Sequence, residues 1–130
     1  MLSVATICLA MNIYHEARGE PLQGQYAVAH VTMNRVKSNE FPNDVCGVVV
    51  QKRAFAWVPD NRVFRKLIET NGAKLRDQKS WLRAKSIAQV VMRGRSLDLT
   101  NGAVFFNAKS MGRRFQTESQ AVAIGDHIFY

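Results

Sequence analysis

The chain begins with an almost unbroken run of apolar positions. Over residues 2–14 nearly every helical face carries apolar side chains, so a helix here would be buried on most sides. Ser3 is a suitable N-cap, while Gly19 and Pro21 oppose continuation of a helix. The pattern predicts a first helix from about Ser3 to Arg18, with few solvated positions.

The next periodic segment predicts a second helix, from Pro21 or Leu22 to about Ser38. Its apolar residues recur at spacings of four and three, the period of one helical face. The predicted core stripe consists of Leu22, Tyr26, Ala29, Met33 and Val36. Because residues 19–21 alone connect the two helices, the end of the first and the start of the second should share a rim.

Three further apolar segments lie in the middle of the chain. Residues 41–51 contain a turn and a short apolar run, which periodicity leaves open between a strand and a buried helix. A helix is expected from about residue 61 to residue 70. Another is expected over residues 81–92, with Ser80 as its N-cap and Gly94 after its end.

The last third of the chain changes to strand-like patterning. A turn at residues 98–102 precedes an apolar run at 103–106, and two later apolar runs flank Gly125-Asp126. Short apolar runs around such a turn are typical of a β-hairpin. The whole pattern predicts one domain, residues 1–130, of the α-rich α+β class with a small C-terminal antiparallel sheet.

Composition adds a strong positive charge to this picture. The formal net charge is +8, which implies a polyanionic partner such as nucleic acid or a bacterial envelope, although for each basic residue taken singly a solvated face is the favoured interpretation. The basic residues noted for this are Arg62, Arg65, Lys66, Lys74, Arg76, Lys79, Arg93, Arg95, Lys109, Arg113 and Arg114.

The two cysteines and the apolar N-terminal segment indicate the cellular compartment in which the chain is made. Cys8 and Cys46 both lie in apolar settings, so buried free thiols are expected, with a bridge left open. Residues 2–14 have no basic n-region and no cleavage site, and they are too short and too polar to span a bilayer. We expect a chain made in a cytoplasm without a signal peptide and without stable membrane insertion.

Glu16 is the carboxylate with the most unusual predicted surroundings. At 100° per residue it falls on the same side as Leu9 and Ile13, and it lies in the last turn of the first helix. Burial and the negative end of the helix dipole should both raise its pKa. Glu16 could therefore hold a proton and donate it, as a general acid must.

The residues around Glu16 also form a long motif. The motif consists of Tyr14, Glu16-Ala17-Arg18-Gly19-Glu20, Gly24-Gln25, Ala27-Val28 and Asn34-Arg35-Val36. It resembles the opening of the SleB-type cell-wall hydrolases, which include spore-cortex lytic enzymes and phage endolysins. The resemblance implies that Glu16 is the catalytic acid, that the fold is lysozyme-like, and that the apolar run within residues 41–51 forms a short helix.

Further pieces of the chain are similar to later segments of that family. They are residues 41–49, Phe55-Ala56-Trp57 without the family's serine, residues 98–103 with Phe106-Asn107, and residues 124–129. The candidate substrate-binding residues are Tyr14, Glu20, Trp57, Phe106, Asn107 and His127. Glu20 could instead pair with Arg18 or cap the second helix.

Neither metal nor cofactor chemistry is predicted. The three histidines, His15, His30 and His127, have no metal-ligand spacing. His30 is expected to be structural. A Cys46–His127 nucleophilic pair is disfavoured because nothing near Cys46 would lower the pKa of its thiol.

The resemblance implies cleavage of the bond between N-acetylmuramic acid and N-acetylglucosamine in peptidoglycan. Glu16 would act first as acid and then as base, giving 1,6-anhydro-muramic products. A hydrolytic muramidase is the nearest alternative, and a basic nucleic-acid-binding domain is the alternative from another class. We expect a monomeric phage endolysin acting on the wall after release from the host cytoplasm, with the anionic envelope as a partner; an excised domain of a longer wall enzyme is the other possibility.

Overall fold

The computed structural model describes residues 2–51, 61–111 and 120–130. Within them the helices are α1 (Val4–Ala17), α2 (Leu22–Lys37), α3 (Val45–Val50), α4 (Asn61–Glu69) and α5 (Gln78–Met92). The strands are β1 (Phe106–Ala108), β2 (Val122–Ile124) and β3 (His127–Phe129), joined antiparallel in the order β1-β3-β2. The predicted α-rich α+β class is confirmed, as are the short helix within residues 41–51, which is α3, and the C-terminal hairpin.

α1 is the central helix, and α2, α3 and α5 pack around it. Every residue from Thr6 to Tyr14 is buried, as the continuous apolar run predicts. The hydroxyl of Ser3 accepts a hydrogen bond from the backbone N–H of Thr6 at 3.1 Å, so Ser3 is the predicted N-cap. The helix gives way to a turn at Arg18, which places Glu16 in its last turn.

The core divides into two clusters on either side of the α1–α2 pair. The larger joins α1 to α2, α3, α4 and α5, and its buried members include Leu9, Met11, Ile13, Tyr14, Phe64 and Trp81. The smaller lies between the helices and the sheet, and its buried members are Ala17, Ala27, Val28, Val31, Ala103 and Phe129. The end of α1 thus contacts the smaller cluster while its body lies in the larger.

The single core stripe predicted for α2 is wrong in part. Leu22, its first member, is 56% exposed, whereas Val28 and Val31, outside the stripe, are fully buried. The reason is that α2 lies between α1 and the sheet and is buried on two sides. A one-face periodicity cannot describe a helix with two buried faces.

α5 begins earlier than predicted. Its N-cap is Asp77, whose Oδ1 accepts a hydrogen bond from the N–H of Ser80 at 3.0 Å. Ser80 is therefore the third helical residue, and its own hydroxyl bonds the same carboxylate. Asp77 and Ser80 are both residue types that suit an N-cap, and Asp77 is the one that caps this helix.

The expectation of free thiols is also wrong. Cys8 in α1 and Cys46 in α3 form a disulfide, with their Cα atoms 5.3 Å apart. Cys8 is buried and Cys46 is partly buried, and the packing of α1 against α3 brings the two sulfurs together. That packing is a tertiary contact, which the local pattern of either segment does not reveal.

The strand predicted at residues 103–106 is found further along the chain, as β1. Val104 and Phe105 still pair with the chain end, because both N–H groups donate to the carbonyl of Tyr130 at 3.1 and 2.9 Å. The turn at residues 98–102 forms as predicted, with Asn101 and Gly102 in the left-handed region. Among the helices in the described segments, none has the length and apolarity needed to cross a bilayer.

Candidate functional site

Glu16 lies half-buried at the end of the central helix. Burial raises the pKa of its carboxyl above the ordinary value. The preceding turn of the helix contains Asn12 and Ile13, both fully buried, so the base of the Glu16 side chain faces the interior. The surroundings predicted from the sequence, an apolar helix side and a helix end, are those that the structure gives Glu16.

A buried polar pair fixes α1 one turn before Glu16. The Asn12 amide donates to the Thr32 hydroxyl of α2 at 2.9 Å, and both residues are fully buried. This hydrogen bond sets the rotation of α1 against α2, and with it the direction of Glu16. The sequence analysis did not single out the pair, although a lone Asn inside a buried apolar helix signals a partner across the core.

Tyr14 is a core residue and does not line a surface as a substrate-binding candidate should. Its side chain is 1% exposed, and its hydroxyl accepts a hydrogen bond from the N–H of Asp77 at 3.2 Å. The Arg18 guanidinium lies over its ring at 4.5 Å, and the Trp81 ring meets it edge-on. Tyr14 therefore holds the end of α1 against the start of α5.

His15 and Arg18 give the rim beside Glu16 its electrostatic character. Burial, together with the positive charge of Arg18, lowers the pKa of His15 to about 4. The imidazole is therefore neutral at neutral pH, which leaves Arg18 as the cation beside the end of α1.

Glu20 makes contacts that the sequence analysis did not predict. Its Oε1 accepts a hydrogen bond from the N–H of Asp126 at 2.9 Å and lies 2.9 Å from Nδ1 of His127. The carboxylate thus joins the turn between α1 and α2 to the hairpin turn, across 106 residues of chain. The cap of α2 is Pro21, without a side-chain hydrogen bond, so the predicted capping role is wrong.

Phe106 and Asn107 lie on β1, beside this connection. The Phe106 ring meets His127 edge-on at 5.2 Å and packs against Phe129 at 5.6 Å. The Asn107 amide donates to the hydroxyl of Tyr130. The structure therefore brings Glu20, His127 and Phe106 together, while Trp57 lies outside the described residues.

The Asn-Arg pair in the opening motif connects α2 to the turn at residues 98–102. The Asn34 amide donates to Asp98 at 2.8 Å and to the carbonyl of Ala103 at 2.9 Å. Nε of Arg35 donates to the carbonyl of Val104 at 2.6 Å. Two motif segments that lie far apart in the sequence thus form one hydrogen-bonded unit beneath the sheet.

Asp98 is the acceptor at the centre of that unit. Its burial acts to raise its pKa, but hydrogen bonds from Thr100 and Asn34 outweigh burial and lower it. The carboxylate therefore stays ionised and holds the turn.

A hollow of about 270 Å³ lies between α2 and the segment before β1. It is lined by Gln23, Tyr26, Ala27, His30, Ser96, Leu97 and Leu99. His30 is largely buried and bonds the Ser96 hydroxyl at 2.7 Å, in agreement with the structural role predicted for it. Of the predicted site residues that the structure describes, none is part of this lining, and within the described segments no three His, Cys, Asp or Glu side chains are grouped as metal ligands.

Comparison with known families and curated proteins gives consistent matches. The family model described as Cell Wall Hydrolase matches residues 19–130. A spore cortex-lytic enzyme of Bacillus cereus is 37% identical over 123 residues, which are 93% of this chain and 42% of that protein. One from Bacillus subtilis is 47% identical over 62 residues, 48% of this chain and 20% of that protein. The chain thus spans less than half the length of each of these two relatives.

Two solved structures share the fold. The catalytic domain of a germination-specific lytic transglycosylase, SleB from Bacillus anthracis, matches with a TM-score of 0.69 and 29% identity, covering 99% of this chain and 95% of that one. The catalytic domain of the Bacillus cereus SleB protein matches with a TM-score of 0.68 and 31% identity, covering 99% and 91%. The family model begins at Gly19, after Glu16, whereas the structural matches extend over α1 as well.

Proposed function

Because the chain belongs to the Cell Wall Hydrolase family, as its opening motif predicts, we propose that it cleaves peptidoglycan glycan strands between N-acetylmuramic acid and N-acetylglucosamine. The observation that carries the proposal is Glu16, a half-buried carboxyl group with a raised pKa at the end of the central helix. A carboxyl group with a raised pKa keeps its proton to higher pH than an ordinary glutamate, which suits protonation of a glycosidic oxygen.

Glu16 acts twice in the proposed reaction. The protonated carboxyl group gives its proton to the glycosidic oxygen as the bond from that oxygen to C1 of the muramic residue breaks. The resulting carboxylate then takes the proton of the C6 hydroxyl of the same sugar, and the C6 oxygen bonds to C1. The products are a free N-acetylglucosamine hydroxyl and a 1,6-anhydro-muramic end, and Glu16 is protonated again.

The position of Glu20 supports a mechanism with one acid. A hydrolase ordinarily uses a second carboxylate, either to activate water or to bond the anomeric carbon. In this chain one oxygen of Glu20, the nearest acidic residue along the sequence, is engaged by Asp126 and His127. A lytic transglycosylase needs no second carboxylate, because the attacking hydroxyl belongs to the substrate.

The products decide between the two reactions. A digest of purified peptidoglycan should release muropeptides that end in 1,6-anhydro-muramic acid, each lighter by one water than its hydrolytic counterpart and resistant to borohydride at that end. Mass spectrometry before and after reduction measures both properties. Muropeptides dominated by reducible muramic ends would contradict the transglycosylase and favour the muramidase.

The anionic bacterial envelope is the proposed partner outside the cleavage site. Residues 61–95 contain ten of the eighteen basic residues of the chain but two of its ten acidic ones, so the positive excess of this segment equals the net charge of the whole chain. On α4 and α5 the side chains of Arg65, Lys66, Lys79 and Arg83 are exposed. This surface, defined by the exposed basic residues of α4 and α5 and here named the basic face, would attract phosphate-rich wall polymers.

The disulfide supports action outside a reducing cytoplasm. The Cys8–Cys46 bridge joins α1 to α3 within the larger core cluster. Such bridges form and persist in oxidising compartments and at cell surfaces. The cell wall is such a location, and a chain made in a cytoplasm would complete its bridge after release.

A further inference from the structure

We propose that Glu20 is a positioning residue of this site, and that its carboxylate sets where His127 and Phe106 lie relative to Glu16. The inference rests on the proposed function. Glu20, Asp126 and His127 together are named the Glu20 clamp. Its 2.9 Å contacts join the turn that follows Glu16 to the turn of the β2–β3 hairpin.

The hairpin turn is built for this close approach. Gly125 has φ +58°, and a Cβ atom there would lie 2.9 Å from Oε1 of Glu20 and 3.1 Å from Cδ of Pro21. A larger residue would force either the Glu20 carboxylate or the hairpin turn to shift. Glycine is thus required at this position both for its backbone conformation and for the space that the carboxylate occupies.

Glu20 is held equally firmly on the helical side. Its N–H donates to the carbonyl of Ala17 at 2.9 Å, and its own carbonyl accepts a hydrogen bond from the Gln25 side chain at 3.0 Å. A Cβ atom on Gly24 would lie 3.2 Å from Cβ of Glu20, so this glycine also leaves room for it. The Gly24-Gln25 pair of the opening motif therefore serves to hold Glu20.

Two of the three clamp side chains, those of Glu20 and His127, are largely shielded from water, whereas Asp126 is exposed. The side chains of Glu20 and His127 are 9% and 16% exposed. A hydrogen bond to an ionised acceptor is stronger than a neutral one, and loss of that acceptor leaves a backbone donor without a partner. Glu20 is therefore needed to keep the hairpin turn against the helices.

Contacts beyond the clamp carry its effect to the candidate substrate-binding residues. His127 meets the ring of Phe106 edge-on at 5.2 Å. The carbonyl of Asp126 accepts a hydrogen bond from the N–H of Lys109 at 2.8 Å, just after β1. Movement of the hairpin turn would therefore displace both His127 and β1 relative to Glu16.

Replacement of Glu20 by Gln and by Ala separates positioning from catalysis. Gln keeps an oxygen that can accept from the N–H of Asp126, so Glu20→Gln should retain most of the activity, whereas Glu20→Ala should lose about tenfold or more in kcat/KM on peptidoglycan. A second catalytic carboxylate would behave differently, because Glu20→Gln would then be as inactive as Glu20→Ala. That result would overturn the proposal.

A matched glycine pair tests the same inference without changing any carboxylate. Gly125 and Gly94 both have positive φ, but a Cβ atom on Gly94 would have no neighbour within 4 Å. Gly125→Ala and Gly94→Ala should therefore lower the melting temperature through similar backbone strain, while Gly125→Ala alone lowers kcat/KM. Equal activity of the two variants would contradict a positioning role, even if Glu20→Ala fails to fold.

Hydrogen exchange of the Asp126 amide gives a readout that does not depend on activity. The amide should be protected in the wild type and in Glu20→Gln, and should exchange at least about tenfold faster in Glu20→Ala. Unchanged protection in Glu20→Ala would overturn the clamp. If the wild type shows protection but no cleavage of peptidoglycan, the proposed function fails while the clamp stands.

Discussion

At the scale of single residues, Glu16 shows how position determines chemistry. It shares a sequence motif with Glu20, yet burial raises the pKa of Glu16 while the carboxylate of Glu20 accepts a hydrogen bond from the backbone N–H of Asp126 and lies beside the imidazole of His127. The difference comes from the end of α1 at Ala17. Glu16 still belongs to the buried helix, and Glu20 has already entered the turn that meets the hairpin.

The raised pKa of Glu16 makes the stability of the protein depend on pH. The folded state binds this proton more tightly than the unfolded chain, so ionisation of Glu16 destabilises the fold progressively as pH rises above the ordinary value of 4.5. Glu16→Gln removes that ionisation. We expect its melting temperature to match the wild type at acid pH and to exceed it at neutral pH.

Thermal unfolding of both proteins across this pH range measures the effect. Glu69→Gln, which removes an exposed carboxylate from α4, controls for the change in net charge. A Glu16→Gln variant whose advantage over the wild type shrinks as pH rises would show that burial does not raise the pKa of Glu16.

The environments of some single residues could be predicted from the sequence, and those of others could not. The surroundings of Glu16 were predictable, because the helix side on which it lies and the glycine that follows are both local features of the sequence. The partner of the Tyr14 hydroxyl and the partner of Glu20 were not, because each is a distant backbone amide, that of Asp77 and that of Asp126. Periodicity describes which side of a helix faces inward, but not which segment it will meet.

At the scale of elements, α1 is the helix around which the others pack, and the disulfide joins it to α3. Both ends of α1 and the hairpin turn were predictable from caps, glycines and apolar runs. The two buried faces of α2 were not predictable, because they depend on its packing between α1 and the sheet. The start of α5 was not predictable either, because two residues near it are both suitable N-caps. The bridge between α1 and α3 likewise required their packing to be known.

Reduction of the bridge should weaken the packing of α3. The two cysteines are 38 residues apart, and closing a loop of that size typically stabilises a protein by about 2–4 kcal/mol. We therefore expect a lower melting temperature in the presence of a thiol reductant. A Cys8→Ala/Cys46→Ala variant should melt near the reduced wild type and should not respond to reductant. A wild-type melting temperature that ignores reductant would contradict a stabilising bridge.

At the scale of the whole molecule, positive charge is concentrated in one segment. The basic face lies on α4 and α5, which pack on the larger core cluster, whereas the sheet lies on the smaller one. The start of α5 is also tied to the end of α1 through Tyr14 and Asp77. A wall polymer bound along α5 would therefore lie beside the rim that carries Glu16.

Lysis of whole permeabilised cells should thus weaken steeply as salt rises, because exposed charges are screened beyond about 8 Å near physiological ionic strength. Cleavage of a short soluble glycan should change little. Lys66→Gln/Lys79→Gln should reduce lysis of cells more than Lys37→Gln/Lys109→Gln, which removes equal charge from exposed positions elsewhere. Equal losses would contradict a localised surface, and tight salt-sensitive binding to DNA without lysis would favour the nucleic-acid alternative.

The central claim is that one carboxyl group, that of Glu16, transfers the protons of the reaction. The most direct measurement is the rate at which wild type and Glu16→Gln release muropeptides from purified peptidoglycan, with circular dichroism confirming that both are folded. Gln preserves the shape of the side chain but has no proton to give, so the rate should fall by at least roughly a hundredfold. Release of muropeptides by Glu16→Gln at the wild-type rate would contradict the account.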